Sequence, residues 1–146
     1  MTDAPPSPRI VVGVDGSPEA ATALDFAIEE ARLRGAVLHV TYSYPVMASP
    51  LTGSTGEDYY AHVEGEARKL LEQAAAAAPT TDGLEVEWLG VPGNPAAVLV
   101  EASREATMLV VGSRGHGGFY GLLMGSVSSQ CVQHSHCPVL VVRQDH

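Results

Sequence analysis

The stretch TMLVVGSRGHGGFYGLLMGSVSS, residues 107–129, carries the reading on which the fold turns. Its opening, TMLVVGS, is short, nearly all apolar and rich in valine, which suits a strand covered on both faces of a parallel sheet. Glycines follow at 112, 115, 117, 118 and 121, and another at 125 stands directly before Ser126. Glycine loses the most backbone freedom on folding, so such a cluster weakens a domain unless something must come close to the main chain. A final helix over roughly 122–135 is then expected, so strand, glycine loop and helix run in direct succession.

The same alternation fills the rest of the chain. RIVVGV (9–14) is a second apolar, β-branched run, and it ends in the turn VDGSP. Ser17 reads as the N-cap and Pro18 as the first residue of a helix that passes through Ala20, Leu24, Ala27, Ile28 and Ala31 at three-and-four spacing and stops at Gly35. AVLHVTYSY (36–44) is the next strand, PVMASPLTGSTG (45–56) a loop rich in breakers, and EDYYAHVEGEARKLLEQAAAAA (57–78) a helix. LEVEWLGV (84–91) follows as a strand. Asn94 before Pro95 then caps the helix AAVLVEASREA, and PVLVVR (138–143) closes the series beyond 107–113. The order βαβαβαβαβ predicts a single-domain α/β, Rossmann-like fold: a five-stranded parallel sheet with helices on both faces, joined by right-handed crossovers.

At 146 residues the chain is long enough for one domain with a real core. A disordered tail is expected over 1–8 and the folded domain over 9–146. With 45% hydrophobic and 17% charged residues, no apolar run reaches the ~18 needed to span a bilayer. MTDAPPSPR has an acid, three prolines and no apolar segment, so neither a signal peptide nor a transit helix is expected. A net charge of −9 argues against broad binding to nucleic acid, whose phosphates demand basic patches. The two cysteines, Cys131 and Cys137, are too few for a disulfide scaffold and suit a cytoplasmic protein.

In open parallel sheets ligands bind beyond the carboxyl ends of the strands, where neighbouring connections leave in opposite directions. The turns VDGS (14–17) and GSRGHGG (112–118) occupy such ends. Gly112 closes a buried strand, and Gly115 lets the main chain turn so that successive N–H groups converge on an anion. Gly125 and Ser126 sit at or near the start of the last helix, although GLLM is an alternative beginning one turn earlier. Unpaired amides and the positive dipole end at a helix start favour phosphate, and the hydroxyls of Ser126 and Ser128 are further donors. Ser113, Gly117 and Val127 complete this cradle, or Gly117 with Gly118 and Gly121 serves only loop mobility. Arg114 and His116 are its basic groups, facing either phosphate or solvent. Asp15 is repelled by a bare triphosphate unless it holds Mg²⁺ or Mn²⁺ or points to ribose and base. With Ser17, it also reads simply as a helix cap.

The spacing Gly112, Gly115, Gly125, Ser126, that is G-x2-G-x9-G-S, together with GVDGS after the first strand and CPVLVVR at the end, resembles the nucleotide-binding branch of the universal stress protein family over residues 8–143. The resemblance implies an ATP-binding domain of the adenine nucleotide alpha hydrolase-like group that acts in the stress response and dimerises, often through its last strand. It places Asp15 (with Gly16 beside it) near the metal and phosphates, and matches Val40 to the position that meets adenine, where main-chain N–H and C=O groups at the end of the second strand can pair with a base edge. Thr41 lies beside it and Val14 packs on base or sugar from the first strand, while core packing alone also explains all three. An exposed apolar edge at 138–143 supports the homodimer independently, because pairing across a two-fold axis removes it.

Three other readings compete. A slow ATPase, a self-phosphorylating protein or a nucleotidyl transferase is the enzymatic alternative; ADP, AMP and cyclic AMP are alternative ligands of the same fold. A flavin carrier has the right topology but few stacking residues beyond Phe119, Tyr120 and Tyr42. CVQHSHC (131–137) invites zinc through Cys131, His134, His136 and Cys137. Against zinc, adjacent residues 136 and 137 rarely face one ion, and Cys137 is expected to be buried.

Overall fold

A computed structural model describes residues 7–45, 56–114 and 124–144. Strand β1 (Arg9–Gly13) leads to helix α1 (Pro18–Arg34), β2 (Val37–Tyr44), α2 (Gly56–Ala77), β3 (Val86–Pro92), α3 (Pro95–Ala102), β4 (Met108–Gly112), α4 (Ser126–His134) and β5 (Val139–Val142). The five strands form one parallel sheet in the order β3-β2-β1-β4-β5. This is the α/β architecture that the alternating apolar runs predict.

Strand parity divides the core into two layers. Ile10, Val12, Leu38, Val40 and Val110 face α1 and α2, packing with Leu24, Ile28 and Leu71. Val11, Leu109 and Val111 face the opposite way, against Leu99 of α3 and Cys131 of α4. Because both sheet faces are covered, β1 and β4 read in sequence as unbroken apolar runs rather than as alternating ones.

Most boundaries follow local chemistry seen in the sequence. Ser17 Oγ accepts from Ala20 N at 3.2 Å, with Pro18 at the first turn of α1, and Gly35 ends that helix in the left-handed region at φ 61°. Asn94 Oδ1 accepts from Ala97 N at 3.1 Å and caps α3 in the same way. Three boundaries differ from expectation by two residues or more, the start of α4 at Ser126 rather than near 122 among them. β3 begins at Val86 because the N–H of Leu84 turns back to Thr81 O at 2.9 Å. α3 stops at Ala102 and tightens into a 3-10 turn over Ser103–Glu105, where Ser103 Oγ donates to Val100 O and accepts from His136 N at 2.9 Å.

Candidate functional site

β1 is the centre of the sheet, and the chain leaves it on one face while it leaves β4 on the other. The connections leaving β1 and β4 therefore diverge, and a crevice of about 390 Å³ opens there. Its walls are the β1–α1 turn, the β4–α4 turn, the end of β2 and the start of α3.

The β1–α1 turn satisfies itself. Gly16 stands at φ 85°, where a Cβ would be strained, and this sharp bend brings Asp15 Oδ1 to within 2.9 Å of Ser17 N. Ser17 is buried, and its oxygen accepts from Ala20 N, so the hydroxyl expected at a ligand is the cap of α1. Asp15 and Ser17 line the crevice; Gly16 shapes the turn and faces a separate groove between α1 and α2.

The β4–α4 turn is built differently. Ser113 N donates to Val142 O at 2.8 Å, and Ser113 O accepts from Gly125 N at 2.6 Å, which ties the two ends of the glycine loop together. Ser128 Oγ adds a second tie, donating toward Ser113 O at 2.8 Å and Gly125 O at 3.1 Å. The Ser128 hydroxyl, expected to donate to phosphate, thus braces the loop instead. Ser113 lies beneath the crevice rather than in its wall. Gly125 is extended, at φ −77° and ψ 174°, so α4 starts at Ser126 and not a turn earlier. Among the described residues no side chain caps it. Its first turn, Ser126 to Ser128, lines the crevice, and the unpaired amides of a helix start carry the positive dipole end. Ser126 Oγ accepts from Gln130 Nε2 at 3.2 Å, which leaves its proton to donate elsewhere.

Gly112 has a packing reason of its own. A Cβ there would stand 2.9 Å from Glu19 Cβ and 3.0 Å from that residue's main-chain carbon, so its bareness lets the first turn of α1 sit on β4. Arg114 lines the crevice with its Nη2 4.0 Å from Glu19 Oε1, both side chains being four-fifths or more covered, at 20% and 16% exposure. Gly115, His116 and Gly117 lie outside the described residues.

At the far end, Val40 does not line the crevice. It is wholly buried between Val12 and Trp88 in the layer beneath α1 and α2, because its position in β2 points it to the sheet face opposite α3. Thr41, Tyr42 and Ser43 line the crevice there instead, as do Val14, Pro95 and Leu99; Tyr42, which shares Val40's parity, also packs on the layer beneath α1 and α2. A divalent ion has a fitting donor in Asp15, since Mg²⁺ is commonly held by one or two carboxylates together with phosphate oxygens. Among the described residues no group of three or more His, Cys, Asp or Glu side chains is placed to cage a metal. In the CVQHSHC segment the fully buried thiol is Cys131, pushed up to about 11 by burial, whereas Cys137, expected to be buried, is partly exposed.

The family model for universal stress proteins matches residues 7–143. The chain belongs to the universal stress protein family. A universal stress protein of Mycobacterium tuberculosis is 35% identical over 145 residues, covering 93% of this chain and 48% of its own length. The chain spans about half the length of the curated relatives it matches. Among solved structures, a universal stress protein in complex with cAMP is 30% identical with a TM-score of 0.64, covering 94% of this chain and 97% of that one. A universal stress protein from Archaeoglobus fulgidus in complex with dAMP is 28% identical with a TM-score of 0.65, covering 92% and 97%.

In this universal stress protein the crevice brings together Val14, Asp15, Ser17, Thr41, Gly112, Arg114, Gly125, Ser126, Val127 and Ser128 of the residues predicted from sequence; Gly16, Val40 and Ser113 stand outside it. Sequence reasoning missed Ser43, Pro95 and Leu99 as wall residues, as well as Gly13, Ala20 and Val111, and named Tyr42 only as a stacking residue for flavin. Strand parity gives a signal for the first, since Ser43 is two residues beyond Thr41 and shares its face. Pro95 and Leu99 are legible only once α3 is known to start beside the tip of β2.

Proposed function

We propose that this chain is a regulatory ATP-binding protein whose phosphate site is the open start of α4. The observation that carries the reading is the contrast in capping: Ser17 and Asn94 close α1 and α3, while α4 begins at a glycine with no side-chain cap and faces the crevice. The amides of Ser126 to Ser128 and the Ser126 hydroxyl meet the phosphates, Asp15 shares Mg²⁺ or Mn²⁺ with them, and the adenine lies against Val14, Thr41 and Tyr42. The complexes of related proteins with cAMP and dAMP support an adenine nucleotide in this fold. Arg114 is held near Glu19, so local main-chain dipoles rather than a cluster of cations supply the attraction.

Binding without rapid turnover is the expected behaviour, occupancy serving to change a surface read by a partner in the stress response. The partner we favour first is a second copy. β5 pairs only with β4 among the described residues, and Val139, Leu140 and Val141 are partly exposed along that edge. Two free cysteines suit the reducing cytoplasm. Mass spectrometry of nucleotide released from purified protein tests the reading, followed by calorimetric titration with ATP, ADP, AMP and cyclic AMP, with and without Mg²⁺. ATP as the tightest, metal-aided ligand is expected; a protein that binds none of the four overturns it.

A further inference from the structure

Two buried hydroxyls among the described residues have no hydrogen-bond partner, those of Ser43 and Ser135. A hydroxyl withdrawn from water and left unpaired destabilises the fold, so each such group calls for a reason. Ser135 follows the last turn of α4 and is not part of the crevice wall. Ser43 is in that wall, with its residue only 8% exposed. The crevice wall it belongs to combines apolar residues such as Val14, Pro95 and Leu99 with a few polar ones, Thr41 and Tyr42 beside it in the strand among them, and a buried hydroxyl left unsatisfied there is the kind of polar group that orients a ligand in a pocket.

We propose that Ser43 Oγ hydrogen-bonds the edge of the nucleotide's base. The inference rests on the nucleotide reading above and adds to it a side chain that fixes the base. Sheet order decides that the partner is base and not sugar. β2 lies two strands from β4, roughly 10 Å at ~4.8 Å per strand, so a ligand whose phosphates sit at α4 lays its sugar over the tip of β1 and its base at β2. A serine hydroxyl both donates and accepts, so either the amino group or a ring nitrogen of adenine satisfies it.

The test is calorimetric titration of wild type, Ser43→Ala and Ser135→Ala with Mg²⁺–ATP and its 2′-deoxy and 3′-deoxy forms, alongside melting of the ligand-free proteins. Ser43→Ala is expected to bind all three nucleotides about tenfold more weakly, equivalent to about 1.4 kcal/mol. Its ligand-free melting temperature stays level or rises, because an orphaned hydroxyl has gone. Ser135→Ala keeps wild-type affinity. Ser43→Ala binding within twofold of wild type overturns the contact and leaves the nucleotide reading intact. A loss that vanishes with either deoxy form assigns the hydroxyl to the sugar and overturns the base assignment. A loss accompanied by a lower ligand-free melting temperature marks Ser43 as structural, which also overturns it. Wild-type protein that binds no ATP defeats the nucleotide reading first, and this contact falls with it.

Discussion

The two glycine-bearing turns at the strand tips face one crevice but use their polar groups in opposite ways. In the β1–α1 turn, Asp15 accepts from Ser17 N and Ser17 accepts from Ala20 N, so local donors are closed within the turn itself. In the β4–α4 turn, Ser113, Gly125 and Ser128 bond one another below the surface, and the helix above them starts uncapped. The first arrangement stabilises the fold. The second braces a helix end without occupying it, which suits a site whose ligand supplies the missing acceptors. The difference teaches that two similar motifs, DGS and GS, separate into cap and candidate site according to whether the serine oxygen reaches back to the helix amides.

The largest expected effect breaks the wall the two turns share. Gly112→Val drives a side chain into the main chain of Glu19, where neither partner is a flexible tip, and should destabilise by about 2–3 kcal/mol, read by denaturant unfolding. Stability within error of wild type would show that α1 does not bear on β4 in this way. Next, Asp15→Asn preserves an oxygen for Ser17 N but removes the charge that pairs with a metal. Titrations with and without Mg²⁺ should then converge, the metal-dependent gain of roughly tenfold, about 1.4 kcal/mol, being lost. A retained metal effect would move the ion away from Asp15.

Two serine-to-alanine changes sharpen the contrast directly. Ser17→Ala should cost about 1 kcal/mol of stability through the lost cap, with ATP affinity changed less than twofold. Ser126→Ala should leave stability unaltered and weaken ATP severalfold, because its hydroxyl serves no cap. Equal stability losses in the two variants would erase the distinction between the turns.

Much of this was legible in the sequence, for identifiable reasons. Short unbroken apolar runs such as TMLVVGS, rich in valine and closed by glycine, suit strands covered on both sides, and Ser17–Pro18, Gly35 and Asn94–Pro95 mark helix ends through local chemistry alone. What local sequence does not reveal is what tertiary geometry decides. Nothing adjacent in the chain tells Ser128, bonded back to Ser113, from Ser126, exposed at the helix start. Val40 and Ser43 belong to one strand, yet parity sends the first into the core and leaves the second in the crevice wall. Gly112 looked like part of an anion cradle; the packing of Glu19 against it also requires glycine.

The most direct measurement is calorimetric titration of ATP into Ser126→Pro. Proline is favoured at the first helical position, and the extended Gly125 before it is compatible with the ring, so the fold should hold while one amide and one hydroxyl donor disappear from the start of α4. The account predicts native circular dichroism and ATP binding weakened by about tenfold to a hundredfold, the range expected for lost hydrogen bonds to a charged group. Wild-type affinity in that folded variant would contradict it, since the amides at the head of α4 would then not be what holds the phosphates.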